Sequence, residues 1–387
     1  MSTPSVLSDS SLKIARIEGI ATSFPVKQGV KLGIGRAVKR DALIVKVTTE
    51  SGLVGWGESH HGRCPGAIAQ LINTTLRQLV TGMDASDVVG VWGRIYQRQL
   101  SSHGMGTACA LAMSGLDQAL WDIRGKAVGW PLWRLLGGSR KPIPAYAGGI
   151  SLGFQPADEL VDEVAALREQ GYRTVKLRFG DSVQRDVERL EAVRKAFPSL
   201  GIMVDANTGY RPDDVRRVMP ALLAHDVLWL EEPFAPQEVR SYRDAAALGG
   251  VPLAAGENHF TRFEFNRLIA DGVVRVLQPD LSKTGGITEG LRIAAMASAE
   301  RLPIHPHTSA SGLNMAASIH MLASIDNAGF FEADVARENL FRDALTTRPD
   351  LLDADGCVLP GTAPGLGIEV DEAFLAAHPV IEGPAYV

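Results

Sequence analysis

Three carboxylate residues recur at equal spacing in the second half of the sequence: Asp205, Glu231 and Glu257, with 26 residues from each one to the next. Each ends a short apolar run, and a period of this length matches one strand, one loop and one helix. In a β/α barrel the carboxyl ends of the strands meet at one loop face, so these acids would point at a common place. Converging carboxylates repel one another unless a cation lies between them. The pattern therefore predicts a metal site.

The same rhythm continues on both sides of the three acids. Three further titratable residues follow at the ends of later strands, namely Asp280, His307 and Glu332. Upstream, Lys176 and Arg178 end a strand, and the alternation of side chains along a strand places both on the same side. We therefore expect these groups to gather at the mouth of the barrel together with the metal-binding acids.

Each of these residues also has an ordinary structural interpretation. A single acid at a strand end is usually a helix cap or a solvated rim residue, but titratable groups at seven successive strand ends favour a shared site. Asp280 and His307 could form a structural ion pair, or a pair in which the carboxylate fixes the imidazole tautomer and raises its basicity. His305 is expected to be packed beneath the site. The alternative is a His-x-His zinc pair, but no third soft ligand accompanies it.

The elements that position these residues follow two patterns. Up to about residue 140 the sequence predicts a strand over 12–24, a hairpin of 42–49 with 53–58, and helices over 66–82, 86–100 and 105–127. The glycine-rich, basic stretch 26–40 is typical of a mobile loop. Later, amphipathic helices such as 183–196 and 212–223 separate eight candidate strands at 143–150, 174–179, 201–205, 227–231, 251–257, 273–280, 303–307 and 330–334.

Eight strands that alternate with helices are the number that closes a parallel barrel. The sequence therefore predicts an α/β protein with a TIM-type (β/α)7β-like barrel over 141–340. An α+β capping domain over 1–140 precedes the barrel, and the segment 341–387 is expected to pack back on that domain and complete it.

Composition agrees with this organisation and excludes several classes of protein. The 387 residues exceed one ordinary domain, and the net charge of −5 gives no general attraction to nucleic acid or an anionic membrane. The cysteines at 64, 109 and 357 have neither disulfide-scaffold nor metal-ligand spacing. Because no charged-then-apolar leader opens the sequence, we expect a cytoplasmic protein with a loose polar tail over the first ten residues.

Several motifs resemble the mandelate racemase subgroup of the enolase superfamily. In the predicted barrel they are Lys176-Leu177-Arg178, Val204-Asp205-Ala206-Asn207, Glu231-Glu232-Pro233, Gly256-Glu257-Asn258, Gln278-Pro279-Asp280 and Lys283-Thr284-Gly285-Gly286. In the first domain they are the run from Ala112 to Lys126 and the sequence Leu135-Leu136-Gly137-Gly138. The resemblance covers nearly the whole chain in order.

The resemblance implies a metal and its ligands. Asp205, Glu231 and Glu257 are expected to bind Mg²⁺, with Glu231 preferred over Glu232 because strand alternation lets only one of the two face the mouth. Asn207, two residues after Asp205, is expected to point the same way and to hold a substrate hydroxyl. The resemblance also implies a symmetric homo-oligomer, often an octamer.

The resemblance further implies removal of a proton α to a substrate carboxylate. His307, polarised by Asp280, is the expected base on one face of the α-carbon. Lys176 and a protonated Glu332 are expected to donate hydrogen bonds to the enolate as its charge develops.

Position 178 indicates the type of reaction. The subgroup usually has Lys-x-Lys, whose second lysine can act as a base, whereas arginine has a pKa above about 12 and is a poor base. Racemisation needs an acid/base group on each face, but elimination needs only His307, which can take the α-proton and then protonate a departing β-hydroxyl. Arg178 is then expected to orient a hydroxyl or a second carboxylate. This favours an Mg²⁺-dependent dehydratase, a lyase, over a racemase, epimerase or cycloisomerase, and a non-catalytic metabolite-binding barrel is the remaining alternative.

Two loops of the first domain, 26–40 and 58–64, are the candidates for substrate selection. Their basic residues are Lys27, Lys31, Arg36, Lys39, Arg40, His60, His61 and Arg63. They could form a solvated surface, or a lid for an anionic, hydroxyl-rich substrate. Lys27 and His60, together with Lys283 of the barrel, are the candidate substrate contacts. We expect an aldonate or aldarate that loses water through an enolate to give a 2-keto-3-deoxy sugar acid.

Overall fold

The computed structural model describes residues 12–102, 104–308 and 310–387. The polar tail expected over the first ten residues lies outside this range. Within it, no helix combines the length and the apolar character needed to cross a bilayer.

The first part of the chain is an antiparallel sheet with helices packed on one face. The strands of this part are β1 (Ile14–Pro25), β2 (Lys31–Leu32), β3 (Gly35–Arg36), β4 (Lys39–Thr49) and β5 (Val54–Ser59). Strands β2 and β3 form a small separate hairpin. The sheet order is β1-β4-β5. The helices are α1 (Pro65–Leu71), α2 (Arg77–Val80), α3 (Val88–Ile95), α4 (Thr107–Val128) and α5 (Leu132–Leu135), with π-helical turns at Ile72–Leu76 and Tyr96–Leu100.

Helix α4 is buried around most of its circumference because it lies between the sheet and the barrel. It packs so closely on β5 that a side chain at Gly57 would come within 2.1 Å of the Gly115 carbonyl oxygen. On its other side, Trp121 Nε1 donates to Thr288 Oγ1 at 2.9 Å, and Asp117 accepts from the Thr288 backbone N–H at the same distance. These contacts fix the first domain on the barrel.

The stretch 26–40 differs from the mobile loop that we predicted. Residues 31–36 form the β2–β3 hairpin, and β4 already begins at Lys39. Leu32 is only 4% exposed, because the hairpin folds its apolar residue inward instead of projecting into solvent. A side chain at Gly33 would contact the Ala206 carbonyl oxygen at 3.4 Å, so the tip of the hairpin lies over the barrel.

The second part is a parallel barrel. Its strands are β6 (Ile143–Gly148), β7 (Thr174–Arg178), β8 (Gly201–Asp205), β9 (Leu230–Glu231), β10 (Leu253–Ala255), β11 (Val276–Leu277) and β12 (Phe331–Asp334), in the order β11-β10-β9-β8-β7-β6-β12. The predicted strand 303–307 is reduced to a bridge at Ile304, which pairs with Leu277 on one side and Ala328 on the other. This bridge is the seventh of the eight barrel positions in chain order and lies between β11 and β12.

Seven helices follow the first seven barrel positions. They are α6 (Ala157–Glu169), α7 (Val183–Ala196), α8 (Pro212–Ala224), α9 (Val239–Ala247), α10 (Thr261–Asp271), α11 (Gly286–Ala299) and α12 (Gly312–Leu322). Side chains that point outward from the strands, such as Leu177, pack against these helices. A smaller cluster fills the barrel interior and contains Tyr146, Met203, Trp229, Ala254 and Val276. The predicted TIM-type (β/α)7β architecture is confirmed.

The segment after residue 340 returns to the first domain. It contains a π-helical turn at Phe341–Leu345, β13 (Cys357–Val358) and α13 (Glu372–Ala377), and β13 pairs antiparallel with β6. Leu366 N–H donates to Asp122 Oδ1 at 2.9 Å, and Thr22 Oγ1 donates to the His378 carbonyl oxygen at 2.7 Å. The tail therefore completes the capping domain, as predicted.

Candidate active site

The register of the parallel strands sets the candidate residues at one level of the barrel. Arg178 pairs with Asp205 across β7 and β8, and Asp205 pairs with Glu231 across β8 and β9. Because parallel strands carry equivalent positions to the same height, the side chains of these residues converge at the carboxyl ends of the strands. The site is therefore a direct result of strand register.

Lys176 lies at the centre of the acidic residues and is fully buried. Its Nζ lies 2.7 Å from Glu231 Oε1, 2.9 Å from Glu332 Oε1 and 3.6 Å from Asp205 Oδ2. Burial alone would lower the pKa of Lys176, but Glu231 and Glu332 outweigh it and the pKa is well above its usual value. Lys176 is therefore a permanently charged hydrogen-bond donor in this arrangement.

Arg178 is held from three sides. One guanidinium nitrogen contacts Asp205 Oδ2 and lies 3.3 Å from Asn207 Oδ1, and the other donates to the Gly149 carbonyl oxygen. Burial opposes the charge, but Asp205 outweighs burial and the pKa of Arg178 is raised. Arg178 therefore stays cationic and can position groups, but it cannot serve as a base.

Both adjacent glutamates belong to the site, Glu231 inside the barrel and Glu232 in the cavity lining, whereas we expected Glu231 to be the one that faces the mouth. Glu231 Oε2 accepts from Gln278 Nε2 at 2.6 Å inside the barrel. Glu232 follows the end of β9 with a φ of 33°, so strand alternation no longer applies, and its side chain lines the cavity beside Asn258. Burial and the neighbouring acids raise the pKa of Glu231 to about 7 and that of Glu232 to about 8.

His307 is held between two carboxylates. Its Nδ1 lies 2.7 Å from Asp280 Oδ2, and its Nε2 lies 2.9 Å from Glu257 Oε2. The second oxygen of Asp280 accepts from Ser282 N and Oγ, both at 2.7 Å, and from Asn314 Nδ2 at 3.0 Å. Burial opposes protonation, but Glu257 outweighs it and raises the pKa of His307 well above its usual value. Asp280 is thus fixed as an acceptor that orients the ring.

Glu332 is an acceptor here, not the protonated donor that we expected. Its carboxylate accepts from Lys176 Nζ, from Gly149 N–H at 3.1 Å and from Thr308 N–H at 3.3 Å. Burial would raise the pKa of Glu332, but the charge of Lys176 outweighs burial and the pKa is lowered. In this arrangement Glu332 holds the Lys176 ammonium in place.

A cavity of about 320 Å³ opens above these residues. From the barrel it is lined by Arg178, Asn207, Glu232, Glu257, Lys283 and His307. From the capping domain and the tail it is lined by Leu32, Ile34, Lys39, Arg40, Asp41, His60, His61, Arg63, Ala385 and Tyr386. The barrel side therefore offers acid/base groups, and the capping side offers a mixed polar and apolar wall.

The candidate substrate contacts separate into two places. Asn207, Lys283 and His60 line this cavity, and Lys283 Nζ lies 3.7 Å from Glu257 Oε1. Burial and the adjacent His61 lower the pKa of His60, so His60 is a neutral hydrogen-bonding group. Lys27 is exposed and lines a neighbouring cavity instead.

His305 is packed beneath the site. Its ring lies between Trp229 and Phe330, with centroid distances of 4.9 and 5.7 Å, and its Nδ1 accepts from Phe330 N–H at 2.9 Å. Burial lowers the pKa of His305 to about 4. His305 and His307 therefore have different surroundings, which disfavours a shared zinc ion.

The acidic residues have the chemistry that Mg²⁺ requires. Among the described side chains no three acids, histidines or cysteines converge closely enough to enclose an ion in the arrangement shown. Asp205 is turned to Arg178, Glu231 to Lys176, and Glu257 to His307. The mouth nevertheless has an excess of carboxylate, which adds to burial in raising the pKa of Glu231 and Glu232. The buried Glu232 Oε1 has no hydrogen-bond partner among the residues that the structure describes. Hard oxygen donors under mutual repulsion fit a divalent cation.

Several residues of the cavity were missed from the sequence. Glu232 carries a signal in the Glu-Glu doublet, although strand alternation argued against it. Asp41 has no motif of its own, and it lines the cavity because β4 begins at residue 39 instead of 42. Tyr386 lies 153 residues after Pro233, the end of the Glu231-Glu232-Pro233 motif, and no local sequence pattern places it near the barrel mouth.

Comparison with known proteins identifies the family. Residues 17–137 match the mandelate racemase / muconate lactonizing enzyme N-terminal domain, and residues 159–374 match the enolase C-terminal domain-like family. A solved member of the enolase superfamily from a Polaromonas species is 53% identical, with a TM-score of 0.95 over 97% of this chain and 100% of the other.

Two more distant solved structures have assigned activities. The 3,6-anhydro-D-galactonate cycloisomerase from Zobellia galactanivorans is 28% identical, with a TM-score of 0.83 over 95% of this chain and 99% of the other. A racemase from Streptomyces coelicolor with bound magnesium is 28% identical, with a TM-score of 0.86 over 95% and 100% of the two chains. The chain therefore belongs to the mandelate racemase subgroup of the enolase superfamily, whose members are enzymes that use Mg²⁺.

Proposed function

We propose that the protein is an acid-sugar dehydratase that removes the proton α to a carboxylate and then expels the β-hydroxyl. The observation that carries this proposal is the contrast between the two sides of the site. His307 is oriented by Asp280 as an acid/base group, whereas Arg178 is held as a cation by Asp205 and the Gly149 carbonyl oxygen. A site with one competent base suits elimination better than racemisation by two opposed bases.

His307 supplies the proton transfers. The Asp280 carboxylate holds the proton on Nδ1, so Nε2 is the nitrogen that faces the cavity and accepts the α-proton. In the arrangement shown Nε2 is paired with Glu257, which has to turn away before the ring can accept a proton. Glu257 is also one of the three acids, with Asp205 and Glu231, that would hold Mg²⁺, and a carboxylate engaged in that way would leave Nε2 free.

Lys176 stabilises the charge that the reaction creates. Removing the α-proton places a second negative charge on a carboxylate group, and a fixed buried ammonium donor is already oriented for it by Glu332. Bound Mg²⁺ would supply Lewis-acid stabilisation of the same oxygens. Lys176 and its partner Glu332 therefore act on the enolate, not on the proton.

The elimination step accounts for the electron pair, the proton and the leaving hydroxyl group. The electrons of the broken α C–H bond are first held in the enolate; they then form the Cα–Cβ double bond of an enol as the β C–O bond breaks, and the imidazolium of His307 protonates the departing hydroxyl to give water. The resulting enol tautomerises to the 2-keto-3-deoxy acid. Asn207 and Arg178 line the cavity and would bind hydroxyl or carboxylate oxygens of the substrate. We assign substrate selection to residues 26–40 and 58–64, several of which line the same cavity.

The test is a screen of four- to six-carbon aldonates and aldarates for a 2-keto-3-deoxy product in the presence of Mg²⁺. We expect at least one acid to be dehydrated, and we expect His307→Asn to reduce its kcat by about 10²–10⁴-fold, the usual contribution of an acid/base group. His225→Asn is the matched control. That ring lies at the end of α8, where its ion-pair contact is a long one of 3.8 Å to Glu191. A kcat that is unchanged in His307→Asn would remove the basis of the assignment.

A racemase, epimerase or cycloisomerase is the second candidate, and the activities in the names of the two 28% identical structures favour it. It would require a second acid/base group opposite His307. Lys176 is the other basic side chain at the end of β7, but it is enclosed by three carboxylates. The fate of solvent deuterium separates these reactions from dehydration.

A further inference from the structure

Residues 385–387 form part of the lid over the cavity. They pair antiparallel with residues 36–38, the strand that leaves the β2–β3 hairpin. Arg36 N–H donates to the Val387 carbonyl oxygen at 2.8 Å, Val387 N–H donates to the Arg36 carbonyl oxygen at 3.0 Å, and Val38 N–H donates to the Ala385 carbonyl oxygen at 2.9 Å. Because these bonds are made by the backbone, they hold the segment in register whatever its side chains are.

The approach of this segment to the cavity is also fixed. The carbonyl oxygen of His378 accepts from Thr22 Oγ1 at 2.7 Å on β1, and that of Ile381 accepts from Lys39 Nζ at the start of β4. Ala385 is only 4% exposed. The segment therefore follows the edge of the capping sheet to the barrel mouth and is anchored before it reaches the hairpin.

The backbone pairing directs Tyr386 to the cavity. Its side chain is half-buried and lines the cavity on the capping side, opposite the acid/base groups of the barrel. The Arg63 guanidinium lies 5.2 Å from its ring centroid, which attaches the ring to the loop 58–64. No hydrogen bond links the Tyr386 hydroxyl to another of the described residues, so the hydroxyl is available to a ligand in the cavity.

We propose that Tyr386 is a specificity-determining residue whose hydroxyl donates a hydrogen bond to an oxygen at the end of the substrate distant from the reacting carboxylate. This inference rests on the proposed function for the class of ligand, a polyhydroxy acid. The reacting end belongs to the barrel, where His307 and Lys176 lie, so a group on the capping wall meets the other end. Tyr386 and Arg63 together would favour acids long enough to span the cavity and polar at their far end.

The test compares substrates of different length in three variants. Tyr386→Phe removes only the hydroxyl, Tyr386→Ala removes the ring, and Val387→Ala is the control, because that side chain is 70% exposed and the strand pairing is made by the backbone. For six-carbon acids we expect Tyr386→Phe to lower kcat/KM by about 10-fold, mainly through KM, as for the loss of one substrate hydrogen bond. Four-carbon acids, which do not reach the capping wall, should change by less than about twofold.

Two results would overturn the assignment. One is an equal loss for short and long acids, which would indicate a structural or catalytic role, and the other is unchanged kinetics for all acids in both Tyr386 variants. Amide hydrogen exchange of Arg36 and Val38 should be the same in wild type and Tyr386→Phe, since their backbone partners are retained.

The failure of the proposed function is distinguishable from the failure of this inference. If no acid is turned over, calorimetric binding of the same acids to the Mg²⁺-loaded protein tests Tyr386 alone. We then expect six-carbon acids to bind about 10-fold more weakly to Tyr386→Phe than to wild type. Equal affinities, or no binding of any acid, would overturn the role of Tyr386.

Discussion

At the scale of single residues, the site is organised by buried ion pairs. Lys176 is shared by Glu231 and Glu332, Arg178 pairs with Asp205, and His307 lies between two carboxylates. Burying a charge raises the free energy of the folded state unless the charge is paired and hydrogen-bonded. Removing one member of a pair therefore leaves the other as an uncompensated buried charge, which destabilises the fold. The pairs therefore orient Lys176, Arg178 and His307 before a substrate arrives, whereas Glu257 has to leave His307 before the ring can act.

Arg178 tests whether guanidinium geometry matters. In Arg178→Lys the charge is kept, but a single ammonium cannot contact Asp205, Asn207 and the Gly149 carbonyl oxygen together. We expect kcat/KM for dehydration to fall by about 10- to 100-fold, the range found for residues that orient metal ligands. Arg185→Lys, on the exposed face of α7, is the control. An unchanged rate would show that any cation suffices at position 178.

Glu58 provides a prediction for stability against pH. Its carboxyl accepts from Ser311 N–H at 3.1 Å, and burial raises its pKa from 4.5 to about 8. The folded state holds this proton more tightly than the unfolded chain, so ionisation destabilises the fold progressively as pH rises from 4.5 toward 8.

Glu58→Gln removes that ionisation. We compare the free energy of unfolding of the variant with that of wild type at each pH. From pH 5 to pH 9 this difference should shift in favour of the variant by a few kcal/mol, since one pKa unit corresponds to about 1.4 kcal/mol. Urea unfolding at the two pH values measures the change, with the exposed Glu50→Gln as control. The same difference between variant and wild type at both pH values would contradict a buried, protonated Glu58.

At the scale of elements, the short barrel strands place the functional residues at their ends. Hydrogen bonding in β9, β10 and β11 covers only two or three residues each, and the site residues follow immediately. One of these ends depends on a close approach of two backbones. Gly256 has a φ of 154°, and a side chain there would lie 2.6 Å from the Gln278 backbone.

Gly256→Ala should therefore affect both folding and the site. The clash is with backbone atoms, which cannot rotate away, so we expect a loss of about 1–3 kcal/mol in the free energy of unfolding and a displaced Glu257. Gly249→Ala is the matched control, because Gly249 also has a positive φ of 65°, but a Cβ added there would meet no atom of the described residues within 4 Å. Thermal unfolding and Mg²⁺ titration measure the two effects. Equal stability losses in both variants would show that backbone conformation, not the close approach, is limiting.

Much of the barrel was predictable at this scale because periodicity reports burial. The bounds predicted for α7 match the structure, and those for β8 and α8 differ by at most one residue. The strand 303–307 was overextended, because a short segment ending at a functional histidine looks the same in sequence whether one residue or five form bridges. The hairpin at 31–36 was taken for a loop, because its strands are two residues long and depend on contacts with the barrel and with Val387.

At the scale of the whole molecule, the cavity is enclosed by three distant parts of the chain. The barrel contributes the floor, the first domain contributes the hairpin and the 58–64 loop, and residues 385 and 386 complete the wall. The acid/base residues could be predicted because each lies in a local motif at a strand end. The capping wall could not, because Asp41 and Tyr386 reach the cavity only through tertiary packing.

Mg²⁺ should stabilise the entire fold if the acids at the mouth bind it. An ion that binds only the folded state at about 100 times its Kd contributes about 2.7 kcal/mol. For a chain of this size we expect a rise of several degrees in Tm, which EDTA reverses and added NaCl of equal ionic strength does not reproduce. Asp205→Asn should abolish the rise, whereas a Tm independent of Mg²⁺ in the wild type would contradict the metal site.

The central claim, that His307 removes an α-proton and water then leaves, is tested most directly by following the reaction in D₂O by NMR with Mg²⁺ present. We predict that a sugar acid is converted to a 2-keto-3-deoxy product with deuterium at C3, that recovered substrate carries none at C2, and that His307→Asn forms product at least about 100-fold more slowly than wild type. Deuterium at C2 of recovered substrate without loss of water, or product formation by His307→Asn at the wild-type rate, would contradict the account.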